Sequence, residues 1–151
     1  MSIAIFAAGC FWGIEKKFDL TKGVIKVEVG YTGGKTKNPT YEQVCYEETD
    51  HAEAVRINFD ENIITYKELL NVFWSCHNPT TLNRQGPDIG KQYRSAIFYI
   101  NDKQKLEAEE SKRIMNKTIY NNNIVTEITK FDEFYLAEEY HQKYLKKLGK
   151  Y

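Results

Sequence analysis

The chain has 151 residues, a length that suits one domain spanning 1–151, and 21 basic residues balance 21 acidic ones to give zero formal net charge. That balance argues against a nucleic-acid or membrane-surface partner, and no apolar run approaches the about 18 residues needed to cross a bilayer. Apolar residues at 42%, with aromatics at 14%, still allow a substantial core. The opening "MSIAIFAAG" lacks the basic start and the length of a secretory signal. Three cysteines at irregular spacing do not make a disulfide framework, so a reducing cytoplasm is the expected location.

In chain order, Ser2 to Ala7 reads as a short buried strand stopped by Gly9. A helix begins near Cys10, with Phe11, Ile14 and Phe18 on one stripe. "VIKVEVGY" alternates, sending Ile25, Val27, Val29 and Tyr31 one way and Lys26 and Glu28 the other. Strand, helix and strand make a βαβ candidate. Thr32 to Val44 reads as a loop by its Gly, Asn and Pro content. "AEAVRINFD" alternates again, and "TYKELLNVFWSCH" is a helix with a Thr cap. Asn78 to Tyr93 is a second long loop, followed by the apolar strand "SAIFYI". A charged helix runs from Asp102 to about Tyr120, "NNN" turns the chain, and Ile124 to Lys130 is a strand. "AEEYHQKYLKKLG" reads as an amphipathic helix with Tyr140, Tyr144 and Leu148 on one stripe and Gly149 as its stop. The expected class is α+β: a mixed sheet with a ferredoxin-like βαβ core, flanked by helices and long active-site loops. Both loops exceed the usual length, which points to function within them.

Cys10 lies where a strand gives way to a helix, between Gly9 and Phe11-Trp12. Free N–H groups and the positive end of the helix dipole lower a thiol's pKa and make it a nucleophile. A free cysteine is equally a small buried hydrophobe. Trp12 lies off the apolar stripe, among Glu15, Lys16 and Asp19, so it is either idle or walls a pocket beside Cys10; Gly13 leaves the next turn bare. Glu53 shares parity with Val55, Ile57 and Phe59, which points its carboxyl inward. Burial raises such a pKa and makes the group a general acid; the alternative is a solvated strand-end carboxylate. "YTGGK" lacks phosphate-loop spacing, and the adjacent Cys76 and His77 do not make a metal-ligand pair, so no metal is expected.

"GCFWG", "GYTGGKTKNPTYEQVC", "HAEAV", "LNRQGPDIGKQYRSAIF" and "AEEYHQKYL", from Ala8 to about Leu145, closely resemble peptide methionine sulfoxide reductase A. The resemblance implies a catalytic thiol at Cys10 and an acid at Glu53. It implies hydroxyl donors to the sulfoxide oxygen at Tyr41 and Tyr93, a supporting carboxylate at Asp88, and an aromatic wall for the substrate methyl at Phe11 and Trp12. The implied substrate is the S epimer of methionine sulfoxide, free or in proteins. No bound cofactor is implied, and the product is methionine plus a sulfenic acid on Cys10. Asp50 stands where the family usually has Gly, and Asn78 where Asp is commoner. His51, His77 and His141 are read as structural or hydrogen-bonding.

Many members of the family carry resolving cysteines after "YHQ-YL", whereas no cysteine follows Cys76 here. Cys45 and Cys76 are the candidates for an internal resolving thiol. The expected route is direct reduction of Cys10 by an external thiol, glutathione with glutaredoxin or thioredoxin. A monomer is expected. The competing readings are a single-cysteine peroxidase-like enzyme and a non-catalytic binder of oxidised methionine.

Overall fold

A computed structural model describes residues 2–151; Met1, the first residue of the expected domain, lies outside the described residues. The elements in order are β1 (Ser2–Ala8), α1 (Phe11–Asp19), β2 (Val24–Thr32), α2 (Tyr41–Tyr46), β3 (Ala52–Phe59), α3 (Tyr66–Ser75), β4 (Arg84–Gln85) and β5 (Asp88–Ile89). A 3-10 turn at Lys91–Tyr93 leads into β6 (Ser95–Tyr99), α4 (Asp102–Thr118), β7 (Glu127–Lys130) and β8 (Phe134–Leu136). A second 3-10 turn at Glu139–His141 and α5 (Tyr144–Lys147) close the chain.

Six strands form one sheet in the order β7-β6-β1-β3-β2-β8. β1 and β2 both pair antiparallel with β3, so they run parallel to each other with β3 between them. The βαβ unit is therefore present but split. β6 pairs antiparallel with β1 and parallel with β7, which makes the sheet mixed. The fold is α+β, as expected.

Period-two alternation in β1 divides its side chains between two layers. Ala4, Phe6 and Ala8 join the larger core beneath the helices, while Ile5 and Ala7 face a smaller cluster with Ala52, Ala54, Ala96 and Phe98. In the larger core Phe6 meets Phe18 of α1 at 5.6 Å and Phe73 of α3 at 5.0 Å. The cap on α3 is a capping box: Thr65 Oγ1 accepts from Glu68 N–H, and Glu68 accepts from Thr65 N–H.

Several sequence expectations need correction. A bulge between Val24 and Lys26 breaks the alternation of β2, leaving Ile25 56% exposed while Val27, Val29 and Tyr31 are buried. The first loop ends in α2, started by a Thr40–Gln43 capping box inside "NPTYEQV". The second loop contains the β4–β5 hairpin. The strand expected over Ile124–Lys130 is regular only from Glu127, because Val125 N–H is drawn to Pro79 O. β8 was unforeseen. The expected C-terminal helix is broken at Lys143, whose φ of +57 is left-handed, and the buried residue there is His141 rather than Tyr140.

Candidate active site

β1 ends at Gly9, whose φ of +100 favours glycine and whose absent side chain leaves room for Gln85: a Cβ would stand 2.9 Å from Gln85 Cγ. Cys10 is the N-cap of α1. The N–H groups of Trp12 and Gly13 pull its pKa down, as the sequence suggests. Burial outweighs them, and with the charges of Glu53 and Asp88 the thiol is pushed up to about 11. The expectation of a lowered pKa therefore fails, because desolvation of the thiolate is the largest effect.

Glu53 is 1% exposed in β3. Its Oε1 accepts a hydrogen bond from Phe11 N–H at 3.2 Å, which places the carboxyl at the first turn of the helix that Cys10 begins. Burial raises its pKa to about 7, opposed by that hydrogen bond and helped by Asp88. In the β4–β5 hairpin Gln85 pairs with Asp88, so both side chains share one face, the one that Gln85 lays against Gly9. Asp88 thus reaches the thiol and Glu53 electrostatically. Tyr93 closes the Lys91–Tyr93 turn; burial first, then the charges of Glu53, Cys45, Asp88 and Cys10, hold its hydroxyl firmly protonated.

Tyr41 opens α2, where its N–H donates to Glu138 Oε2 at 2.9 Å and its ring lies 4.4 Å from His141. Burial and a hydrogen bond to the Cys45 thiol raise its pKa. Glu138 Oε1 accepts from the hydroxyl of Tyr31, the residue paired with Glu53 across the sheet. Phe11 is buried against Tyr31 and His141. Trp12 is half-buried, stacked on Tyr144 at 3.9 Å and pinned by Nε1–H donating to His141 Nδ1 at 3.0 Å. That acceptor role leaves the proton of neutral His141 on Nε2. Gly13 is exposed, with open space where a Cβ would be.

The site thus gathers Cys10, Phe11, Trp12, Tyr41, Glu53, Asp88 and Tyr93, with Cys45 beside Tyr41. Cys76 does not join them. Its Sγ donates to Phe73 O at 3.1 Å at the C-terminal end of α3, and burial pushes its thiol up to about 12. All three cysteines are free thiols. Asn78 does what an Asp would, accepting from Thr80 N–H with Oδ1 at 3.0 Å. Among the described residues no cluster of His, Cys, Asp or Glu side chains could hold a metal ion, and no helix is long and apolar enough to cross a membrane.

Sequence reasoning missed Glu138, Tyr144 and the role of His141. The helical reading of "AEEYHQKYL" concealed them, although two Glu, a His and two Tyr in nine residues is itself a polar-aromatic signal. It also placed Glu15 on the polar side of the first helix, off the apolar stripe. Glu15 is fully buried, its Oε2 accepting from Lys143 N–H at 2.9 Å, because the C-terminal segment covers that side of α1.

A family model described as peptide methionine sulfoxide reductase matches residues 2–151. The chain is 58% identical over 147 residues to the peptide methionine sulfoxide reductase MsrA of Methanosarcina acetivorans, covering 97% of this chain and 78% of that protein. It is 54% identical to a peptide methionine sulfoxide reductase of Solanum lycopersicum, covering 99% of this chain and 76% of the relative. The structure superposes on reduced Mxr1 of Saccharomyces cerevisiae with a TM-score of 0.93 at 37% identity, over 99% of this chain and 87% of that one. Against Mxr1 crystallised with Trx2 the TM-score is 0.68 at 26% identity, over 95% and 84% of the two chains. The chain belongs to the peptide methionine sulfoxide reductase family, type A.

Proposed function

We propose that residues 1–151 form one catalytic domain that reduces the S epimer of methionine sulfoxide, free or in proteins, with Cys10 as nucleophile and Glu53 as acid. The observation that carries this reading is the hydrogen bond from Phe11 N–H to Glu53 Oε1, which sets a buried carboxyl at the helix start occupied by the thiol. The substrate methyl rests against Phe11 and Trp12. Its oxygen accepts hydrogen bonds from Glu53, Tyr41 and Tyr93, while Asp88 supports the polar network. The Cys10 thiolate attacks sulfur as the oxygen takes a proton from Glu53. The sulfur–oxygen bond passes to Cys10, methionine leaves, and Cys10 is left as a sulfenic acid.

No cofactor is bound in this scheme. Two equivalents of an external thiol return Cys10 to the thiol, releasing water and a disulfide. Yeast Mxr1 with Trx2 supports a thioredoxin-type reductant, with glutathione and glutaredoxin as the other source of that chemistry. The half-buried Cys76, its thiol bonded to the Phe73 carbonyl, is unsuited to resolving the sulfenic acid, and Cys45 stands as partner of Tyr41. The protein acts as a monomer in the cytoplasm.

Dithiothreitol-driven reduction of the two sulfoxide epimers by wild type and Cys10→Ser tests the reading. Turnover of the S epimer alone, abolished in the variant, supports it. Turnover of the R epimer, or of neither, sinks it. Peroxide consumption without sulfoxide reduction would favour the peroxidase-like reading, and sulfoxide binding without turnover the binder.

A further inference from the structure

We propose that Arg94 is a positioning residue: it locks the two active-site loops to each other and thereby holds the Tyr93 hydroxyl where the sulfoxide oxygen is bound. The inference rests on the donor role of Tyr93 given above. Arg94 follows Tyr93 directly and is only 8% exposed, and a guanidinium so placed needs partners for its charge and its donors.

Those partners lie on both loops. Nη1 donates to Lys91 O at 3.0 Å, the same carbonyl that accepts the backbone N–H of Arg94 at 3.2 Å. Arg94 therefore closes, with main chain and side chain together, the three-residue turn that ends in Tyr93. Nη2 donates to Gly33 O at 3.5 Å, where β2 passes into the first loop. Nε lies 3.1 Å from Glu127 Oε1 of β7, an ion pair not aligned as a hydrogen bond. Gly33 has a φ of +84, and a Cβ there would stand 2.9 Å from Nη2 and 2.8 Å from the Phe98 ring. The approach of the guanidinium to this turn thus requires glycine.

Asp50 adds a second tie between the loops, and His51 braces the first loop alone. Asp50 pairs with Lys35 of the first loop at 3.5 Å and with Lys91 of the second at 3.4 Å. His51 accepts from Gly34 N–H at 3.0 Å with Nδ1 and donates from Nε2 to Thr36 O at 2.6 Å. Both Asp50 ion pairs are exposed, so the buried fork of Arg94 is the principal fastening. A 3-10 turn of three residues has little internal strength, and a donor displaced by about 1 Å can cost about 100-fold in rate.

Arg94→Lys keeps the charge and removes the fork. Expected is a fall of about 10- to 100-fold in kcat with KM unchanged. In a Tyr93→Phe background the same substitution has no further effect, since the hydroxyl it positions is already gone. Wild-type kcat in Arg94→Lys, or losses that multiply in the double variant, overturns the inference. Should circular dichroism show Arg94→Lys unfolded, Glu127→Gln takes its place: a smaller fall in kcat that vanishes with Tyr93→Phe supports the proposal, and wild-type kcat overturns it. An impaired Tyr93→Phe beside an unaffected Arg94→Lys removes only this inference. Wild-type kcat in Tyr93→Phe takes the donor assignment down with it.

Discussion

The proton inventory of Cys10 and Glu53 predicts a particular pH profile. In the proposed mechanism the reactive form holds a thiolate and a neutral acid. It has the same number of protons as the resting form, thiol plus carboxylate, which prevails between the carboxyl pKa of about 7 and the thiol pKa of about 11. Neutral Glu53 no longer raises the thiol pKa, so the gap is at most about four units: the reactive arrangement is at least about one part in ten thousand and no more than about 5 kcal/mol above the resting one. Because its share is constant across that window, kcat/KM for single-turnover reduction of the S epimer is flat above about pH 7. Below that value one proton too many is bound and the rate falls tenfold per unit, with an apparent pKa belonging to the pair. Glu53→Gln donates a hydrogen bond but cannot ionise. The break near pH 7 should vanish, and the rate should follow thiolate alone, climbing tenfold per unit from neutral pH toward a thiol pKa lowered by loss of the Glu53 charge. Glu53→Ala removes the donor as well and should cost roughly 2.7–4 kcal/mol more in the barrier, a factor of about 100 to 1,000. Methionine formed without added reductant, quantified from pH 5 to 10, provides the measurement. A wild-type profile with no break near 7, or a break that survives in Glu53→Gln, would refute the pairing of these two groups.

Other substitutions probe the surroundings. His141→Phe keeps a ring beside Phe11 and removes the acceptor for Trp12 Nε1–H, at a cost of roughly 1–3 kcal/mol; KM should rise about fivefold or more with kcat less affected, alongside a change in tryptophan emission. His77, held neutral by burial with a pKa lowered to about 4, binds its proton more readily in the unfolded chain. The stability it leaves intact above pH 6.5 should fall by up to about 3 kcal/mol as pH drops to 4, and urea titrations should show that slope flattened in His77→Gln. Glu53 acts in the opposite direction over the same range, so the comparison with the variant isolates His77. Mass spectrometry after one turnover without reductant should find the oxygen on Cys10 and free thiols at Cys45 and Cys76; an internal disulfide would contradict direct external reduction.

Strands and helices whose apolar period is long and unbroken were legible in the sequence. β1, β3, α1, α3 and α4 follow their patterns because each buries a face in one of the two layers. Strand parity pointed Glu53 inward, since β3 carries no bulge, while its part as the acid came from the family resemblance. Parity misled at Ile25, where a bulge consumes one residue and no composition signal marks it. The thiol pKa was misjudged because helix-end N–H groups are visible in a sequence and the desolvation of Cys10 is not. The roles of Tyr41, Asp88 and Tyr93 came from family resemblance, as nothing periodic places a side chain in a loop. The C-terminal segment was misread because its apolar spacing matches a helix, while Glu138, drawn to Tyr41 and Tyr31, and the left-handed Lys143 break the chain there.

The hydrogen bond between Trp12 and His141 spans 129 positions, and the one from Lys16 to Lys150 O spans 134. One wall of the proposed methyl pocket is therefore assembled from segments far apart in the sequence. During synthesis the proposed nucleophile emerges well before its enclosure, so a growing chain displays Cys10 before it can grip a substrate. Contacts of such sequence separation form late and slowly in folding. Activity should then arrive in a single step once the segment around His141 and Lys150 is in place, rather than accumulating with length.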